Sequence, residues 1–137
     1  MSEENVEIVR RLFEAISRRD TEAVLSLYDP EVEWDGSRHP MSPILGERHF
    51  HGHEGIRRFS HLYYEMWESL EDDLIEVIDA GERVISLSTT RARGRQSGIE
   101  VEWNRQAGVW TIRNGKIVRI VWFPTREEAL EAAGLSE

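Results

Sequence analysis

Four side chains of this sequence are the candidates to act on a bound ligand by proton transfer or hydrogen bonding: Asp35, His39, Tyr63 and Asn104. Asp35 ends the run EVEWD, in which Val32 and Trp34 hold the apolar parity of a strand, so Glu31, Glu33 and Asp35 are expected to face away together. Gly36 follows at once, and where a strand gives way to a loop the alternation loses its hold; a carboxylate turned into a tryptophan-rich site would be a general base. His39 lies in a loop rich in Pro and Gly, and is a proton-transfer candidate if that loop closes over a cavity; its alternative is ordinary loop surface. Tyr63 shares an inner helical stripe with Phe59 and Met66, where a buried hydroxyl is either a pocket donor or a satisfied core group. Asn104 sits with Gln106 where the alternation of VEWNRQAGVW breaks, as at a bulge that re-aims a polar side chain. The histidines of RHFHGHEG are of metal-binding type, and His49 and His51 share a face of an extended run. No acid stands beside them at ligand spacing, and the expectation is that there is no native metal site.

Five tryptophans exceed what a small core needs. Trp34, Trp67, Trp110 and Trp122, with Tyr28, Phe59 and Met66, are expected to line a flat apolar cavity suited to a cyclic or aromatic molecule. Trp103 has the opposite parity to Trp110 and is assigned to a dimer interface.

Helices and strands must position these groups. Val6, Val9, Leu12, Phe13 and Ile16 recur at helical spacing, and Asp20 caps a second helix, TEAVLSLY, which Asp29-Pro30 stops. A loop of about 17 residues separates the strand at 31–35 from a third helix, EGIRRFSHLYYEMWESL. From residue 74 the period becomes two, in LIEVID, ERVISLSTTRAR, GIEVEWN, AGVWTIR and KIVRIVWF. Asn114-Gly115 marks a type I′ hairpin, and Thr125 with Glu128 caps a short last helix closed by Gly134. This is an α+β arrangement, three helices first, with helices on one face of a long curved mixed or antiparallel sheet.

At 137 residues the chain is read as one domain, 1–137. Its net charge of -9 repels phosphate backbones and anionic membranes, and its longest purely apolar run, Ile120 to Phe123, cannot span a bilayer, so neither nucleic acid nor membrane is an expected partner. There is no cysteine, and the reading is of a cytoplasmic protein working without a cofactor.

The pieces YDPEVEW, GHEGIRRF, VWTIRNGKIVRI and REEALEAAG resemble the SnoaL-like branch of the NTF2-like (nuclear transport factor 2-like) superfamily over almost the whole chain. The resemblance implies a cone-shaped α+β fold enclosing a pocket, paired into a homodimer through the outer sheet, with no single reaction attached. The three polar roles of its ketosteroid isomerases fall by motif position on Leu12, Trp34 and Gly108, none of which can fill them. Arg91 and Arg93 lack the aspartates of its epoxide hydrolases. Three functions remain open: a cofactor-independent isomerase, cyclase or hydrolase acting on a small cyclic molecule, a binder of such a molecule, or a homodimeric structural module.

Overall fold

The structure is a computed structural model and describes residues 2–39 and 46–135, less the side chains of residues 2, 104 and 105. Helices α1 (Ser2–Ser17) and α2 (Thr21–Leu27) lead into strand β1 (Tyr28–Asp35). A short strand β2 (His49–His51) precedes helix α3 (Gly52–Met66). Strands β3 (Trp67–Ala80), β4 (Arg83–Gly94), β5 (Glu100–Arg113) and β6 (Lys116–Phe123) follow, then helix α4 (Arg126–Ala132). The six strands form one open sheet ordered β2-β1-β6-β5-β4-β3, mixed because β1 runs parallel to β6 and all other neighbours are antiparallel.

Local chemistry explains the boundaries. The Asp20 side chain accepts from the Ala23 amide 3.1 Å away and starts α2, which stops at Leu27, one residue before the expected end, so Tyr28 opens β1. The β5-β6 turn has Asn114 at φ 51° and Gly115 at φ 76°, the positive pair a type I′ turn requires. Thr125 accepts from the Glu128 amide at 3.1 Å, and Gly134 at φ 82° ends α4 while the Leu135 amide reaches the Leu130 carbonyl at 2.8 Å.

Two expectations change. The third helix ends at Met66, and Trp67 to Leu70 belong to β3. Nor do the helices cover one face only. Val9, Leu12 and Phe13 of α1 pack with Trp110, Ile117 and Ile120 on the inner face, whereas Ala129 and Leu130 of α4 cover Ile85, Leu87, Ala107 and Val109 on the outer one. Strand parity dictates the split: Ile85↔Val109 and Leu87↔Ala107 alternate with the inward pairs Val84↔Trp110 and Ser86↔Gly108. No helix among the described residues is long and apolar enough to cross a membrane.

Candidate functional site

The inner face of the sheet, α1, α2 and α3 enclose a cavity that opens on one side. Its enclosed space is about 50 Å³, within about 620 Å³ between side chains counted out to the open mouth. An apolar cavity that admits a benzene ring measures roughly 150 Å³, so only a narrow or edge-on group enters without moving side chains.

The walls are aromatic. Trp34 and Tyr28 come from β1, Phe59 from α3, Trp110 from β5 and Trp122 from β6, each at the cavity as the sequence suggests. Phe59 lies 4.5 Å from Trp34 and stacks on Tyr63 at 5.2 Å between ring centroids. Gly36 is needed for this wall, because a Cβ there would stand 2.2 Å from the Trp34 ring. Met66 and Trp67 do not line this cavity: where α3 gives way to β3 they face a separate surface groove with Leu62 and Gly94. A stripe drawn as a helix to residue 70 gave them the wrong company.

His39 is buried, 6% exposed, with its ring 5.7 Å from Trp34 and 5.2 Å from Trp122. That places it in the cavity wall and sets aside its reading as loop surface. Burial pulls its imidazole down to about 4, so it is neutral at pH 7. Tyr63 also lines the cavity, and burial, then the charge of Asp72, holds its hydroxyl well above the usual range. Tyr64 is pushed up to about 12 by the same two causes in the same order. Both phenols stay protonated and can only donate or accept a hydrogen bond near neutral pH.

Asp35 is not at the cavity. It lies on the outer side of β1, where its carboxylate accepts from the Ser37 amide (3.0 Å) and hydroxyl (2.8 Å) and pairs with His49 at 3.2 Å. Its carboxyl is held below the usual range: partial burial, the largest single influence, raises it, but Ser37, His49 and Arg119 together outweigh that. The strand alternation held to its last residue. The side chain of Asn104 lies outside the described residues. Its neighbour Gln106 does line the cavity, on the inward parity it shares with Gly108 and Trp110, and a bulge between Ser88↔Gln106 and Thr90↔Trp103 shifts the ladder beyond it. The same bulge sets Trp103 opposite the inward Thr90, and it packs edge-to-face on Trp67 at 5.6 Å.

The acid at the cavity is Asp72, on β3. Its partner across the ladder is Thr90, whose hydroxyl donates to the Asp72 carboxylate and in turn accepts from Gln106 Nε2 at 2.7 Å. Burial raises the Asp72 carboxyl; the Thr90 bond lowers it and the adjacent Asp73 raises it, leaving it above the ordinary aspartate value. The sequence carried a signal for Asp72, an acid on the apolar parity of Leu70 and Leu74, but that signal needs β3 to begin before residue 72. Three further polar atoms at the cavity are buried without a hydrogen-bond partner: Ser88 Oγ, Gln106 Oε1 and Trp122 Nε1. Each such group costs about 1–3 kcal/mol while unsatisfied, which a structure-only role does not recover.

The histidines of the opening motif are placed elsewhere. His51 bridges Glu33 at 2.5 Å and Glu31 at 3.1 Å on the exposed side of the β1-β2 ladder. The acids thus stand beside the histidines across the strands, where sequence spacing had found none. His53 reaches the Tyr28 carbonyl at 2.9 Å. Among the described residues no group of three or more His, Asp or Glu side chains converges as a metal site.

Comparison with known proteins gives a consistent picture. A model of the SnoaL-like domain matches residues 9–120. An NTF2-like protein of unknown function from Burkholderia pseudomallei is similar at 28% identity over 93% of this chain and 95% of its own, with a TM-score of 0.77. TerC, crystallised with polyporic acid, is similar at 25% identity over 95% and 97% of the two chains, with a TM-score of 0.76. An NTF2-like protein from Burkholderia thailandensis follows at 27% identity over 86% and 88%, with a TM-score of 0.74. No curated protein sequence matches the chain.

Proposed function

The chain belongs to the SnoaL-like domain family, and from that premise we propose that its cavity is the active site of a cofactor-independent enzyme that moves a proton on a small cyclic molecule. One observation carries the reading: a carboxylate with a raised proton affinity, Asp72, at an otherwise aromatic cavity and oriented by the Thr90-Gln106 chain. A base in a poorly solvated site is stronger than the same group in water, and its affinity moves toward the pH at which it works. The Asp72 carboxylate takes a proton from the carbon beside a ring carbonyl. The Thr90 hydroxyl keeps one carboxylate oxygen fixed, so the other is the reacting atom. The indole N–H of Trp122, buried and unpartnered, and the Tyr63 hydroxyl are the donors for the negative charge that grows on the carbonyl oxygen. The flat walls formed by Trp34 and Phe59 orient the ring. That TerC was crystallised with polyporic acid supports a ligand-holding role for the corresponding fold here.

Exchange of the ring α-protons of 2-indanone for deuterium, followed by NMR, tests the proposal. The wild type accelerates exchange, and Asp72→Asn, of equal size, lowers it about 100-fold or more, the range a positioned acid or base contributes. Equal rates in the two proteins contradict it.

A second reading, a non-catalytic ligand-binding or homodimeric module, is favoured by the small enclosed space of about 50 Å³. The exposed Ile75 on the outer side of β3 supports pairing of two copies through the sheet. Sedimentation velocity checks that part, and a single species of 16.0 kDa contradicts it.

A further inference from the structure

Two buried atoms at the cavity, Ser88 Oγ and Gln106 Oε1, have no part in that proton transfer. Ser88, 1% exposed, and Gln106, 7% exposed, are opposite each other in the β4-β5 ladder and point to the same side. Directly paired residues hold their Cβ atoms about 4.5–5.5 Å apart. Because Gln106 Nε2 is turned to Thr90, its Oε1 is the atom left toward the cavity, a buried acceptor with no donor. Ser88 Oγ beside it is a hydroxyl with no partner at all. One hydroxyl group satisfies both, since its oxygen accepts from Ser88 while its hydrogen goes to Gln106.

We infer that the Ser88-Gln106 pair is a subsite for one neutral hydroxyl carried on a flat ring, and that the ring substrates this protein favours bear a phenolic or enolic hydroxyl besides the reacting carbonyl, and no carboxylate. The inference rests on the reading of the cavity as a substrate site. Three features set the specificity. An ether or a bare hydrocarbon leaves Gln106 Oε1 unsatisfied, the kind of mismatch by which a site built for a hydroxyl rejects its analogues. A carboxylate brings charge against that oxygen and against Asp72, and no lysine or arginine lines the cavity among the described residues. The aromatic walls and the narrow interior favour a single thin ring over a bulky saturated one.

Isothermal titration at pH 7 with phenol, toluene and benzoate tests this. Phenol and toluene have nearly the same shape and differ in the hydroxyl. The wild type binds phenol about tenfold or more tightly than toluene, corresponding to one buried acceptor satisfied, and benzoate most weakly. Gln106→Met brings phenol and toluene to equal affinity, and Ser88→Ala narrows the gap while leaving toluene binding in place. With two variants, failure of one to fold does not remove the test. Equal binding of phenol and toluene by the wild type overturns the inference, as does tightest binding of benzoate or binding of none of the three. Phenol binding involves no proton transfer, so an Asp72→Asn protein that keeps its exchange activity overturns the catalytic reading without altering this result.

Discussion

Two aspartates on one sheet show how environment, not residue type, sets a role. Asp35 at the end of β1 has a polar, charged neighbourhood and a lowered proton affinity; Asp72 on β3 has an apolar one and a raised affinity. Asp35→Asn is therefore expected to leave indanone exchange unchanged, and a loss matching that of Asp72→Asn would refute the assignment. His39 makes a separate prediction. Its imidazole titrates at about 4 when folded and near 6.5 when unfolded, so the unfolded chain takes up the proton first as pH falls. Its contribution to stability is full above pH 6.5 and is lost as pH drops toward 4. The loss is on the order of 3 kcal/mol by the usual conversion. Urea titrations of His39→Phe across that range should show a flatter pH dependence than the wild type, and parallel curves would contradict the burial argument. At this scale the sequence was legible for the walls: Trp34, Tyr28, Phe59, Trp110 and Trp122 all reach the cavity. For the polar groups it was legible in part: His39, Tyr63 and Gln106 reach the cavity and Asp35 does not, while Asp72 was missed because it gains meaning only beside Thr90, its neighbour from another strand.

The elements explain that blindness. WESLEDDL places apolar residues at 67, 70 and 74, spacings that fit a helix and that a strand accepts only with the register shift found between Trp67 and Ser69, and the helical reading hid Asp72 behind a boundary. Helix α3 stops at Met66 instead, and the guanidinium of Arg95 donates to the Glu65 and Trp67 carbonyls at 3.0 Å each, satisfying groups freed by the ending helix. The bulge in β5 was legible as a break in alternation, but the side chain it re-aims is Trp103, set opposite Thr90, whereas Gln106 faces inward by the regular parity of Gly108 and Trp110. The β1-β2 ladder was not, since its histidines and acids are far apart in the chain and meet only by strand pairing. Hydrogen bonding to Glu33, then its charge, raises the proton affinity of His51. The stability this pair lends to the exposed edge strand is present below the unfolded histidine value, near 6.5, and disappears as pH rises through the folded one. Amide exchange in β1 and β2, corrected for intrinsic rates, should reveal that loss of protection as pH rises above the unfolded histidine value in the wild type but not in His51→Gln. Identical profiles would show that the ladder does not couple to the strand.

The molecule as a whole is a mixed sheet with α1 to α3 on its inner face and α4 outside; the α+β order of elements followed from periodicity, turn chemistry and caps, whereas the outer position of α4 did not, since the helices were expected on one face. What periodicity cannot give is the size of the cavity, which depends on a few close contacts. The Trp34 ring lies where a Gly36 side chain would be, so Gly36→Ala should shift that wall and destabilise the protein by about 1–3 kcal/mol, the usual cost of overpacking. Thermal unfolding checks it, and an unchanged midpoint would mean that the wall yields freely. The account turns on one claim, that a cavity enclosed by the inner sheet and helices tunes Asp72 to accept a proton from a bound ring. The pH dependence of indanone exchange tests it most directly. The wild-type rate should rise along a single limb whose midpoint lies above the ordinary aspartate value, and Asp72→Asn should abolish both limb and rate. A limb at or below the ordinary value, or one that survives in Asp72→Asn, would contradict the claim.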